Sequence, residues 1–121
     1  MLQLNLKSGV PICDQIVNGI IRLKALGALQ GDAQLPSVRS LAVTLSVNPN
    51  TVQKAYQILE NNGIIYSVKG KGSFISDDKE AHDAVLRNAQ QDFEKAVKSA
   101  KELGISKETL INIVNNGFDS L

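Results

Sequence analysis

One short stretch of the chain carries side chains that are suited to reading the bases of duplex DNA. Its apolar residues recur at helical spacing, at Val52, Ala55, Tyr56 and Leu59. The opposite face carries three amides and one lysine: Asn50, Gln53, Lys54 and Gln57. Amide side chains can bind adenine through paired hydrogen bonds, and lysine binds guanine or phosphate. A solvated helix face usually mixes acids with bases, so a face with no acid before Glu60 favours DNA reading.

A second, shorter helix is predicted immediately before this one, and its apolar face consists of Val38, Leu41, Ala42 and Leu45. Ser37 is placed to cap this first helix. Asn48 is placed to cap the second, with Pro49 at the first helical position, where a missing N–H costs nothing. Residues 46–48 leave room only for a tight corner, so the two helices predict a helix-turn-helix.

A basic β-hairpin is predicted after the second helix. Asn62-Gly63 should end that helix, residues 64–68 and 73–76 read as two strands, and Lys69-Gly70-Lys71-Gly72 lies between them. The glycines permit the backbone angles of a tight turn, and the lysines place positive charge at its tip. A basic hairpin that directly follows a helix-turn-helix predicts a winged helix.

Three motifs in order make the chain similar to a known family. L-P-S-V-R-S-L-A begins at Leu35, V-N-P-N-T-V-Q-K-A-Y begins at Val47, and G-K-G-S-F-I begins at Gly70. Together they resemble the DNA-binding domain of the GntR family of bacterial transcription regulators, over about residues 10 to 76. The chain departs from the common P-G-D-x-L-P pattern because Gly31-Asp32 lies one residue early, which leaves the geometry of that loop open.

The resemblance implies which residues touch DNA: the arginine of the P-S-x-R segment, the start of the recognition helix and the tip of the wing. Those roles fall on Arg39, Asn50, Thr51, Gln53, Lys69 and Gly70. The complete predicted DNA-binding set is Ser37, Arg39, Asn48, Asn50, Thr51, Gln53, Lys54, Gln57, Lys69, Gly70 and Lys71. Pro49 and Gln53 occupy positions that are basic in some relatives, so the operator of those relatives is not expected here.

The N-terminal part should complete the core. Leu2, Leu4 and Leu6 alternate with polar residues and predict a half-buried strand or an extended arm. A helix from Val10-Pro11 to about Leu26 should cover the two later helices with a face made by Ile12, Ile16, Val17, Ile20, Ile21 and Leu23. Cys13 is expected to be a small buried residue of this helix.

The last 45 residues predict a helical pair with no core of its own. Acids at Asp77 and Asp78 favour a helix start, and a heptad spacing then joins His82, Leu86, Ala89, Phe93, Ala96, Ala100 and Leu103. A final helix capped by Ser106 presents Leu110, Ile113 and Val114. This stripe must pack on a second copy or fold back on the first part. We expect dimerisation through Leu86, Ala89, Phe93, Ala96, Ala100 and Leu103, and the short tail resembles the YtrA-like branch of the family.

Charge and composition limit the function classes. Residues 1–76 contain seven bases and three acids, and residues 77–121 contain six bases and nine acids, which fits a polyanionic partner for the first part only. One histidine and one cysteine in distant segments predict no enzyme, no metal site and no cofactor. No signal peptide or membrane-spanning run is visible, so a cytoplasmic protein is expected.

The sequence therefore predicts a mainly α fold with a small β-hairpin: a winged helix-turn-helix domain over residues 1–76 and a two-helix dimerisation tail over residues 77–121. The predicted function is a homodimeric repressor that binds an inverted-repeat operator in double-stranded DNA, by resemblance that of a transporter operon. Two alternatives stay open. One is a winged helix that binds proteins, and the other is a sensor with an unknown small-molecule effector between the tail and the DNA-binding domain.

Overall fold

The computed structural model describes residues 2–119, which form two compact units that divide between Asp83 and Ala84. The described elements, in chain order, are α1 (Ile12–Ala25), α2 (Val38–Leu45), α3 (Pro49–Asn61), β1 (Ile65–Val68), β2 (Gly72–Ile75), α4 (Lys79–Glu102) and α5 (Lys107–Asp119). This order confirms the predicted fold class: mainly helical, with one antiparallel hairpin directly after a helix-turn-helix.

The core of the first unit is built around α3, which packs against α1, α2 and β1. Val52, Ala55 and Leu59 are completely buried on its inner face. The neighbours contribute further buried side chains: Cys13, Ile16, Val17, Ile20, Leu41, Ala42, Ile64, Ile65 and Ile75. Cys13 is buried as predicted, whereas Ile12, Ile21 and Leu23 lie half-buried at the border of the α1 face. Non-directional burial of this apolar surface is the main force that holds the three helices together.

The corner between α2 and α3 is fixed by local hydrogen bonds. Ser37 Oγ accepts the Ser40 N–H at 3.1 Å, and Asn48 Oδ1 accepts the Asn50 N–H at 2.8 Å, so both predicted caps are confirmed. Ser46 takes a left-handed conformation with φ of 56°, and the next N–H, that of Val47, bonds to the carbonyl of Ala42 at 3.0 Å. This closure of the α2 end lets the chain reverse within three residues.

The hairpin that we call the wing, residues 65–75, pairs Ile65 with Ile75 and Val68 with Gly72. The first strand therefore begins one residue later than predicted, and the second strand begins one residue earlier. A third segment, absent from the sequence prediction, joins the same sheet. The N–H groups of Asp32 and Leu35 donate to carbonyls of β2 at 2.8 Å each, and the loop before α2 is thereby held on the edge of the wing.

The N-terminal residues form an arm rather than a strand. Leu2 and Leu4 are half-buried, whereas Leu6 is exposed. The amide of Gln15 in α1 holds this arm, since its Oε1 accepts the Asn5 N–H at 2.7 Å and its Nε2 donates to the Asn5 carbonyl at 2.8 Å. One side chain thus replaces the sheet partner that a strand would need.

The second unit consists of most of α4 and all of α5, joined by a turn in which Gly104 has φ of 85°. Asp78 Oδ1 accepts the Ala81 N–H at the start of α4, and Ser106 Oγ accepts the Thr109 N–H at the start of α5, which confirms the predicted cap. Neither helix contains a buried residue. Across residues 2–119, no helix is both long and apolar enough to cross a bilayer.

One buried hydroxyl joins α3 to the start of α2. Tyr56 Oη donates to the carbonyl of Pro36 at 2.7 Å, and burial raises the pKa of Tyr56 from its ordinary 10.0 to about 12. Because Pro36 lies directly before the cap of α2, this bond sets where that helix begins relative to α3.

We predict that Tyr56→Phe lowers the free energy of unfolding by about 1 kcal/mol, because the Pro36 carbonyl loses its donor while the ring stays packed. Urea unfolding at neutral pH measures this difference. An unchanged midpoint with an unchanged slope would contradict the role given to the hydroxyl.

The same bond predicts a pH dependence. With a folded pKa near 12 and an unfolded pKa near 10, the stabilisation is complete below pH 10 and is lost as pH rises towards 12. Tyr56→Phe should show a smaller alkaline loss of stability than the parent. Some loss should remain, because the hydrogen bond to Asp32 also raises the pKa of Tyr66.

Candidate nucleic-acid interface

The outer face of α3 presents the predicted reading residues to solvent. Asn50, Gln53, Lys54 and Gln57 are all exposed, and Thr51 is half-buried. Their orientation follows from the core, because the buried inner face of α3 leaves the opposite side outward. The Gln57 amide already makes one hydrogen bond within α3, since its Nε2 donates to Asn61 Oδ1 at 3.0 Å. Asn50 and Gln53 therefore keep more of their hydrogen-bonding capacity for a base edge.

Two members of the predicted set act in helix capping. Ser37 Oγ and Asn48 Oδ1 each accept a backbone N–H of the helix that follows. Their remaining donors, the Ser37 hydroxyl and the Asn48 amide, stay exposed beside the starts of α2 and α3. They can therefore bind phosphate while holding the two helix N-termini in place, and their contact with DNA stays a prediction.

Arg39 lies exposed in the first turn of α2. The helix start that carries it is held to α3 by the bond between Tyr56 Oη and the Pro36 carbonyl. A guanidinium at the end of a fixed helix loses less entropy on binding phosphate or a base edge than one on a mobile loop. The geometry thus supplies a rigid base for the contact that the resemblance implies.

The tip of the wing carries the remaining predicted residues, Lys69, Gly70 and Lys71, and all three are exposed. The Lys71 N–H donates to the Val68 carbonyl at 2.9 Å and closes a four-residue turn. Gly70 has φ of 77° in this turn, a conformation that favours glycine. Both lysines therefore extend from one short, closed turn.

The structure also places the start of α1 beside the start of α3. Pro11, Ile12 and Cys13 line a shallow groove together with Asn50, Thr51 and Lys54. The sequence pattern predicts that α1 covers α3 but not that the starts of the two helices meet, which results from the way they pack. The groove brings three predicted DNA-binding residues together.

Sequence reasoning missed the residues that connect these parts. They lie in the segment 32–36, here called the linking segment, and in their partners on other elements. Tyr66 Oη donates to Asp32 Oδ1 at 2.6 Å, Gln34 Nε2 donates to the Lys71 carbonyl at 2.8 Å, and Tyr56 reaches Pro36. Asp32 and Gln34 are exposed polar residues of a loop and give no periodic signal, so only the fold could identify their partners.

Among the residues that the structure describes, no three histidine, cysteine, aspartate or glutamate side chains are grouped so that they could hold a metal ion.

A tight helix-turn-helix, an outward polar face on its second helix and a basic hairpin beside it define a winged-helix DNA-binding fold. The family described as "Bacterial regulatory proteins, gntR family" matches residues 13–75 of the 121. The chain belongs to the GntR family: it is a DNA-binding transcriptional regulator and not an enzyme.

Two relatives and one solved structure support this assignment. The uncharacterized HTH-type transcriptional regulator YhcF of Bacillus subtilis is 39% identical over 107 residues, which cover 87% of this chain and 88% of YhcF. The HTH-type transcriptional repressor YtrA of the same organism is 43% identical over 77 residues, or 64% of this chain, and the match spans only 59% of YtrA. The structure of a GntR family transcriptional regulator from Listeria monocytogenes aligns with a TM-score of 0.70 and 37% identity, covering 92% of this chain and 98% of that one.

We predict that the wing lysines and the α3 amides contribute differently to binding. Replacing Lys69 and Lys71 by alanine should weaken binding to operator and random DNA alike. It should also reduce the slope of log affinity against log salt concentration by about two for each wing that contacts DNA. Gln53→Ala should instead relax discrimination at particular base pairs, by about 1–3 kcal/mol. Fluorescence anisotropy at several salt concentrations measures both.

A matched control is Lys98→Ala with Lys101→Ala, which removes the same charge from exposed positions of α4. This variant should keep the parent affinity. If the wing variant changed the preferred sequence and Gln53→Ala did not, the two roles would be reversed.

Proposed function

We propose that this GntR-family regulator acts in the cytoplasm as a homodimeric repressor that binds an inverted-repeat operator. In this proposal residues 1–76 form the DNA-binding domain and residues 77–121 form the dimerisation tail. One observation carries the dimer: neither α4 nor α5 contains a buried residue. Control of a transporter operon is carried over from the resemblance to the short-tailed branch, and repression is supported by the name of the relative YtrA.

The exposed apolar side chains of the second unit favour a second copy as the missing partner. Phe93 is 56% exposed and Leu103 is 79% exposed on the heptad stripe of α4, and Ile113 is 60% exposed on α5. A helical pair that leaves such residues in water has no core, and apolar burial is what stabilises folded units of this size. The proposed seam is Leu86, Ala89, Phe93, Ala96, Ala100 and Leu103.

A dimer would also supply the larger contact with DNA that a single winged helix lacks. One winged helix places one short helix in one major groove, and a two-fold dimer doubles that contact. The two recognition helices then require inverted half-sites whose centres are about 10 bp, or a multiple of that, apart. Selection of fragments from a random duplex library, followed by sequencing, tests this. Enrichment of a single unpaired half-site would contradict the inverted repeat.

We predict that Phe93→Glu converts the dimer to a monomer, because a charge would be buried at the centre of the seam without a partner. Sedimentation equilibrium at micromolar concentration measures the mass, and circular dichroism checks that the winged helix stays folded. The variant should bind operator more weakly than the parent.

Gln91→Glu is the matched control, because it adds the same charge to the side of α4 that faces away from the seam. Gln91 lies two residues, or about 200° around the helix, from the seam residue Ala89. It should stay dimeric. A parent that sediments as a monomer, or a Phe93→Glu variant that stays dimeric, would rule out the proposed interface.

A second candidate function is the sensing of a small apolar ligand, and a cavity in the first unit favours it. This cavity of about 290 Å³ is lined mainly by apolar side chains of the arm, α1, α2 and the linking segment, with Thr44 among the few polar ones. A volume of that size lies at the lower end of small-molecule sites. A melting-temperature screen of small apolar compounds tests it. A stabilising compound should lose its effect on Thr44→Trp, and a screen without such a compound argues against this function.

A further inference from the structure

We propose that Gln34 is a positioning residue for the wing, which holds the turn at Lys69–Lys71 where its lysines meet the DNA backbone. The inference rests on the proposed contact of those lysines with DNA. Gln34 itself lies outside every predicted DNA-binding position, in the linking segment three residues before the Ser37 cap. It acts on DNA through the wing rather than by its own contact.

The first support is a side-chain hydrogen bond to the tip of the hairpin. Gln34 Nε2 donates to the carbonyl of Lys71 at 2.8 Å. The ladder between β1 and β2 ends at the pair Val68 and Gly72, so the turn beyond it is held by few bonds. One of these is the turn bond from the Lys71 N–H to Val68, and the Gln34 bond fixes the carbonyl of the same residue.

The second support is that the Gln34 backbone is itself anchored. It forms an antiparallel bridge with Phe74, and the next residue, Leu35, donates its N–H to the Ser73 carbonyl at 2.8 Å. Leu35 is also buried in the core. A side chain that extends from an anchored backbone can fix a turn, because little of its freedom remains to be lost.

The third support is the close approach of the two partners. A Cβ atom added to Gly72 would lie only 3.0 Å from Gln34 Nε2, and Gly72 has φ of 123°. Glycine at this position therefore makes room for the amide. The wing sequence and the linking segment fit each other at the position where the lysines leave the sheet.

A fixed turn favours binding because mobile lysine side chains lose conformational entropy when they contact phosphate. With Gln34 in place, Lys69 and Lys71 start from one arrangement, and the linking segment joins that arrangement to α2, which carries Arg39. Without the amide donor the turn samples more positions, and the lysines contribute less to affinity.

The test is a double-mutant cycle. Gln34→Met keeps the length of the side chain and adds no charge but removes the donor. It should weaken binding to duplex DNA by about 2- to 10-fold, the range that one modest hydrogen bond covers. In a chain that already carries Lys69→Ala and Lys71→Ala, the same substitution should have no further effect, because the groups through which it acts are gone. The backbone carbonyl of residue 71, which accepts the Gln34 hydrogen bond, is still present in that background, so only the lysine side chains differ.

Two further measurements separate positioning from general stability. Backbone amide hydrogen exchange at residues 69–72 should be faster in Gln34→Met, while the exchange of α3 core amides stays unchanged. Gln30→Met is the matched control, because Gln30 is an exposed glutamine of the same loop. It should change neither exchange nor affinity.

The outcomes are distinct. Additive losses in the cycle would mean that Gln34 contacts DNA directly. An unchanged affinity of Gln34→Met would mean that the hydrogen bond from Gln34 does not influence binding through the wing. Either result overturns the inference. If Lys69→Ala with Lys71→Ala leaves binding unchanged, the proposed wing contact fails first, and the inference that rests on it falls too.

Discussion

Burial of one face of α3 is the constraint on which the rest of the structure depends. Val52, Ala55 and Leu59 are completely buried against α1, α2 and β1, and this burial turns the opposite face of the helix, which we propose reads DNA, to solvent. The rotation of the reading residues about the helix axis is therefore set by the core and not by the DNA. Any change that repacks this face also reorients Asn50 and Gln53, so the proposed recognition depends on the same packing as stability.

The linking segment, residues 32–36, extends that coupling to the other two contact elements. It lies along β2, donates through Gln34 to the wing turn, accepts a hydrogen bond from Tyr56 of α3 and leads directly into α2. Three surface elements, α2, α3 and the wing, are thus connected to one short segment of backbone. A winged helix of this size has little core, and such hydrogen bonds supply the positional accuracy that packing alone would leave loose.

The second unit differs from the first, because neither of its helices contains a buried residue. Its helices are well capped by Asp78 and Ser106, and caps define where a helix begins without giving it a partner. Long helices in water gain most of their stability from packing on an apolar face. Exposure of Phe93 and Ile113 is therefore the physical link between the fold of this unit and the assembly proposed for it.

The sequence by itself determined the local elements and the composition of the reading face. Helical periodicity placed α2 and α3, Ser37 and Asn48 marked their starts, and Lys69 to Gly72 marked the turn, because each of these signals lies within a few neighbouring residues. Only the tertiary structure decided that Gln15 holds the N-terminal arm, that Tyr56 binds Pro36 and that Gln34 reaches the wing. These bonds join residues that are up to 37 positions apart. One partner of each bond lies in an irregular segment without a periodic pattern, so the pairing is known only once the core has brought the two segments together.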